Sequence, residues 1–77
     1  MANWTNTKHG NRCLENAGDD EPLFVIRAKD DIGPRIVEFW ADELEANGGS
    51  EEKAREARDI AAQMQAYQER YGSKLPD

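Results

Sequence analysis

The chain has 77 residues, with ten Lys plus Arg against sixteen Asp plus Glu, a formal charge of −6 and a pI near 4.7. A chain this short buries only ~60% of the surface its unfolded form exposes, and such scaffolds usually rely on disulfides, a metal or self-association. One Cys excludes an internal disulfide, and one Cys with one His excludes a four-ligand Cys/His zinc site, which leaves self-association unless the helices pack unusually well.

Charge narrows the partners. Residues 1–31 carry four basic and six acidic side chains, residues 32–49 one and four, and residues 50–77 five and six. No segment is net basic, so the phosphate neutralisation that duplex DNA binding requires is missing, whereas a basic protein partner is allowed. No stretch approaches the ~20 apolar residues of a membrane span. The opening residues lack the apolar run of a secretory signal. Without paired cysteines a reducing cytoplasm is the expected compartment.

Taken in chain order, residues 1–19 read as a polar arm rich in Asn, Thr, Gly and Asp, with one or two helical turns available over 11–17. Trp4 stands out there as an anchor for a core or for a neighbouring subunit. Residues 20–71 form the body. It opens with Asp19-Asp20-Glu21-Pro22 and then Leu23-Phe24-Val25-Ile26-Arg27-Ala28, the most apolar run of the chain. Its short length and its Phe, Val and Ile favour a strand, while the acids and the proline before it also suit a helix start.

Asp30 or Asp31 is the expected N-cap of the next helix, with Gly33-Pro34 in its first turn. Ile36, Val37, Trp40, Ala41 and Leu44 recur on one helical face, and Asn47-Gly48-Gly49 ends it. Ser50 caps a longer helix with Glu51 and Glu52 in its first turn. Its inner stripe is Ala54, Ala57, Ile60, Ala61, Met64, Tyr67 or Gln68, and Tyr71, and Glu51 pairs with Arg55 outside. Gly72 stops it, and residues 72–77 are a tail. The short link predicts an antiparallel hairpin whose alanines let the partner backbone come close, with Trp40 and Ile36 filling the space. The fold class is therefore mainly α: a helical hairpin preceded by a short strand or extended segment and a polar arm.

A lone strand cannot satisfy its own ladder hydrogen bonds, and pairing with a second copy across a two-fold axis solves this. A homo-oligomer, a dimer or higher, is expected, with Trp4, Leu23, Phe24, Val25, Ile26 and Phe39 at the interface, whereas a helical run at 23–28 would let a three-helix body stand alone. Phe39 is included because it lies off the main apolar stripe of its helix.

Chemistry-bearing constellations are sparse. His9 and Cys13 lie four apart but have no orienting third group, so neither a metal nor a nucleophile–base pair is expected there. Asp19, Asp20, Glu21, Asp30 and Asp31 do not fit calcium-loop spacing and read as caps and solvated surface. No phosphate-cradling Gly-rich loop, nucleophile elbow or His-Glu-x-x-His occurs, so neither enzymatic activity nor a cofactor is expected. One set suits an anion: Arg27 and Lys29 on one side of the expected strand, Arg35 at the next helix start, and Arg12 from the arm. Trp4, Phe39 or Tyr67 would stack a base. Pairing of Arg27 and Lys29 with local acids is the plainer alternative.

Asp20-Glu21-Pro22-Leu23-Phe24-Val25-Ile26-Arg27-Ala28-Lys29-Asp30, with Gly33-Pro34 and Val37-x-x-Trp40-Ala41, resembles small uncharacterised proteins of tailed phages and prophages. Their pattern is Glu-Pro-x-Phe-x-Leu-Arg-Ala-x-Asp, a loop ending in Ala-Pro, then an aliphatic residue and Trp-Ala. Glu52-Lys53, Glu56-Ala57 and Met64 match the second helix of that pattern, so the likeness covers roughly residues 20–65. Gly33 stands where the pattern has Ala, and Ile26 where it has Leu. The resemblance implies phage origin and expression inside a bacterial host, and brings no activity with it.

Small non-catalytic phage proteins commonly act by occupying something. Two functions are expected from this, beside a purely structural oligomer. In one, an oligomer sequesters a cyclic nucleotide immune signal, with Arg27, Lys29 and Arg35 on the phosphates and an aromatic such as Tyr67 on the base. In the other, the acidic helix from Glu38 to Glu45 covers a basic surface on a host defence protein.

Overall fold

The computed structural model describes residues 12–76, with side chains from Leu14 onward. Three helices follow in order: α1 (Arg12–Asn16), α2 (Gly33–Ala46) and α3 (Glu51–Tyr71). The two long helices pack on each other as a hairpin, and α1 packs on neither. Trp4, His9 and the side chains of Arg12 and Cys13 lie outside the described residues, and with them the expected arm anchor and the His9–Cys13 pair.

Each end of the hairpin has an identifiable cause. Ser50 is the N-cap of α3, its hydroxyl accepting the Lys53 N–H at 3.1 Å, with Glu51 and Glu52 facing the helix dipole. Just before it, at the C-terminal end of α2, the chain reverses through a Schellman motif. The Gly49 N–H donates to the Leu44 carbonyl at 2.8 Å and the Gly48 N–H to the Glu45 carbonyl at 3.0 Å. Gly48 sits at φ +78°, the left-handed conformation this reversal needs and a side chain resists.

The start of α2 differs from expectation. Its N-cap position is Ile32, which offers no side-chain acceptor, and Pro34 occupies the first turn, where a missing N–H costs nothing. Asp30 acts one step earlier: its Oδ1 accepts the Ile32 N–H at 3.1 Å, forming an Asx turn that leads into the helix. Asp31 Oδ1 accepts from the Ser73 hydroxyl at 2.8 Å instead of capping.

The core is made of small residues. Ala41, Ala54, Ala57 and Ala61 are buried, Val37 and Leu44 pack against them, and no large side chain among the described residues is fully buried. A buried methyl contributes only about 0.8 kcal/mol against ~1.5–3 kcal/mol for a buried Leu or Phe, so the alanines set helix proximity more than they supply driving force. Trp40 and Ile36 do not fill the space between the helices. They are 47% and 44% exposed, because alanine-to-alanine contact leaves no gap between the axes for a bulky residue.

Residues 21–27 form no regular secondary structure, so the expected strand over Leu23–Ala28 is absent, and there is no helix there either. The physical reason is that no neighbouring strand exists within the described residues to pair with. The backbone polar groups beyond the run find other partners. The Asp30 N–H closes a turn onto the Arg27 carbonyl at 3.0 Å, and Gly33 N–H donates to the Asp30 carbonyl at 2.9 Å. The tail supplies the rest. Lys74 N–H donates to the Lys29 carbonyl and Asp31 N–H to the Lys74 carbonyl, both at 3.0 Å, which makes an isolated parallel bridge between Asp30 and Lys74. Residues 73–74 are therefore a clip on the turn that precedes α2.

Candidate functional site

The turn over residues 27–31 is held from three sides. Gln68, near the C-terminal end of α3, donates from Nε2 to the carbonyls of Ala28 and Asp30, each at 2.8 Å. The tail clip grips it from a second direction. From the third, the backbone approaches α2 so closely that a Cβ on Gly33 would lie 3.0 Å from both the Arg27 carbonyl oxygen and Ile26 Cγ2. This fixation places the side chains on either side of the turn.

An open groove of about 270 Å³ lies there, lined by Phe24, Val25, Arg27, Lys29, Asp30, Lys74 and Pro76. Its chemistry is mixed. Phe24 and Val25 give an apolar wall, with Phe24 87% exposed, and Arg27, Lys29 and Lys74 bring three cations. Asp30 is the acid of the set, and its carboxylate is engaged with the Ile32 N–H. An anion with a flat apolar part matches this lining: cations for the charge and an exposed ring for stacking.

Arg27 and Lys29 thus come together, though across a groove and not along a strand. Arg35 lies on the exposed first turn of α2 and does not line the groove. Tyr67 is on α3 with its ring 4.8 Å from that of Tyr71, and it also lies outside the groove; the Arg70 guanidinium sits 5.6 Å from the Tyr71 ring. Lys74 joins Arg27 and Lys29 from the C-terminal tail. Only the tail clip brings it beside Arg27, forty-odd residues away in the chain, and no local pattern signals such a contact.

The remaining charge clusters have local roles. Glu21 Oε1 accepts the Gly18 N–H at 3.1 Å while the Glu21 N–H donates to the Gly18 carbonyl, so this acid closes its own turn. No group of metal-ligating side chains occurs among the described residues. On α2, Asp42 and Glu45 both accept from Arg58 of α3, at 2.8 Å and 2.6 Å. The hydrogen bonds to Glu45 and then Asp42 hold the Arg58 guanidinium above its already high ordinary pKa. The Glu51–Arg55 pair expected within α3 is not formed; the ion pair joins the helices instead.

No helix of the described residues is long and apolar enough to cross a membrane. The chain matches no known protein family, no curated protein and no solved structure.

Proposed function

We propose that this chain is a non-catalytic binding protein that sequesters a phosphate-bearing nucleotide in the groove beside the 27–31 turn. The observation that carries the reading is the convergence of Arg27, Lys29 and Lys74 on one groove with the exposed Phe24 ring. A net charge of −6 makes such a cluster of cations notable, since it is not the by-product of a basic surface. The sequence resemblance to small phage proteins gives the setting: a counter-defence accessory protein acting in the cytoplasm of a bacterial host, where cyclic nucleotides serve as immune signals.

The alternative, an acidic helix laid over a basic host surface, is weakened by Arg58. Two of the acids it would use, Asp42 and Glu45, already share that guanidinium.

The test is thermal stabilisation of the full chain by a panel of cyclic di- and trinucleotides, with inorganic phosphate as a control. Stabilisation by at least one nucleotide, lost in Arg27→Ala and in Lys74→Ala but kept in Arg35→Ala, is expected. No shift across the panel would overturn the reading, and so would stabilisation that Arg35→Ala alone abolishes.

A further inference from the structure

Apart from the groove, the hairpin has two unlike sides. Counting 3.6 residues per turn from the buried Ala41, the Arg58 partners Asp42 and Glu45 fall on one side of α2, and Ile36 and Trp40 fall on the other. The same count from Ala54 and Ala61 places Arg58 on that first side of α3 and Ile60, Met64, Tyr67 and Tyr71 on the second. One side of the hairpin is therefore charged and cross-linked, and the other gathers the large apolar side chains of both helices, with Glu43 and Glu56 at its outer edges. Ile36, Trp40, Tyr67 and Tyr71 on it are exposed, and Ile60 and Met64 are half-buried.

We infer that this face docks against the same face of a second copy of the chain, two hairpins forming a four-helix bundle about a two-fold axis. Three observations select that occupant. First, the chain carries sixteen acidic residues, yet this sector holds few charges: Lys53 lies in it at the loop end, and Glu43 and Glu56 stand at its outer edges. Two chains of −6 can approach each other there, whereas a basic partner would be drawn to the opposite, acidic side. Second, α2 with 14 residues and α3 with 21 lie side by side. They span a surface of roughly 20 by 20–30 Å, of the order of the ~800 Å² per partner of a stable dimer. Third, residues 1–11 contain only Met1 and Trp4 as large apolar side chains, too few to cover six, and α1 packs on neither long helix. A second hairpin supplies what the alanine core lacks, because large side chains then pack between helix pairs as in other bundles. This assembly differs from strand pairing through Leu23–Ile26, and it does not depend on the identity of any groove ligand.

Light scattering on the full chain without nucleotide tests it. The expected mass is twice 8.7 kDa, or a multiple built from that dimer. Trp40→Glu, and separately Tyr67→Glu, should return the mass to one chain with helical circular dichroism retained, while Phe24→Glu, off this face, leaves the assembly intact. An 8.7 kDa wild-type species at micromolar concentration overturns the inference, as does an assembly that Phe24→Glu alone dissociates. Should both face variants unfold, the wild-type melting temperature decides. It rises with protein concentration for a dimer that must dissociate to unfold, and a flat dependence overturns the proposal. A dimer that ignores every nucleotide would sink the groove reading alone, and a nucleotide-binding monomer would sink the dimer alone.

Discussion

Gln68 Nε2 donates to the Asp30 carbonyl at 2.8 Å, joining α3 to the approach to α2 across 38 residues of chain. The same amide group reaches the Ala28 carbonyl, so one side chain serves two backbone acceptors, of which Asp30 also accepts the Gly33 N–H. Replacing Gln68 with Leu keeps a similar bulk and removes both donors. A loss of about 1–3 kcal/mol is expected, read from the midpoint of denaturant unfolding. Nucleotide affinity should fall with it, since Arg27 and Lys29 flank the turn. An unchanged midpoint would show that water replaces the amide at no cost.

Ile26 and Gly33 make a second testable pair. An alanine methyl at 33 would meet Ile26 Cγ2 and the Arg27 carbonyl, both at 3.0 Å. Crowding of this kind typically costs about 1–3 kcal/mol, more than the ~1 kcal/mol that alanine gains over glycine in a helix. Gly33→Ala should therefore destabilise. Ile26→Leu removes the β-branch methyl that causes half of the conflict, so the double variant should lose less than Gly33→Ala alone. Strict additivity in the double-mutant cycle would refute the coupling.

The alanine interface makes a sharp contrast between neighbouring positions. Ala57 is buried between the helices, so Ala57→Leu should push them apart and lower stability by about 1–3 kcal/mol. Ala62 lies exposed on the outer side of the same helix, and Ala62→Leu should change stability by no more than ~0.5 kcal/mol. Thermal melts of the two variants suffice; equal losses would argue against the packing described.

Arg58 gives a prediction about salt. Arg58→Met keeps the apolar stem and deletes the charge shared with Asp42 and Glu45. Only a slight loss of stability is expected for such a solvent-accessible network, and added salt should shrink it further. The pH dependence follows from the raised pKa of the guanidinium. Its contribution is fully present below the ordinary arginine value and disappears only in strong alkali, so near neutrality Arg58 adds no slope of stability with pH. A loss in Arg58→Met that salt leaves untouched would point to packing and not to charge.

Much of the fold was legible in the sequence because its signals were local. Ser50 as a cap, Asn47-Gly48-Gly49 as a reversal, the Ala54–Ala57–Ala61 spacing and Gly72 as a stop all act within one or two helical turns. The departures from sequence expectation share a different cause. Leu23–Ala28 has strand composition, but whether a strand forms depends on a partner elsewhere, and here Gln68 and Lys74 take the turn's backbone groups instead. Ile32 holds the N-cap position because Pro34 and the Asp30 turn make a side-chain cap unnecessary. Trp40 reads as core by spacing, yet alanines opposite alanines bring the axes too close to admit it. At the candidate site, Arg27 and Lys29 were visible as a local pair. Lys74 was not, since its place is set by the tail clip.

The alanine core has a calorimetric consequence. Heat-capacity and denaturant-sensitivity changes on unfolding scale with the apolar surface newly exposed to water. A single hairpin that buries methyl groups and little else has few such ångströms to expose. Its unfolding should be unusually flat in temperature for 77 residues, with a shallow denaturant slope. Covering Ile36, Trp40, Tyr67 and their neighbours would restore a steep, ordinary transition. The heat capacity of unfolding thus becomes a gauge of how much of that face water already touches.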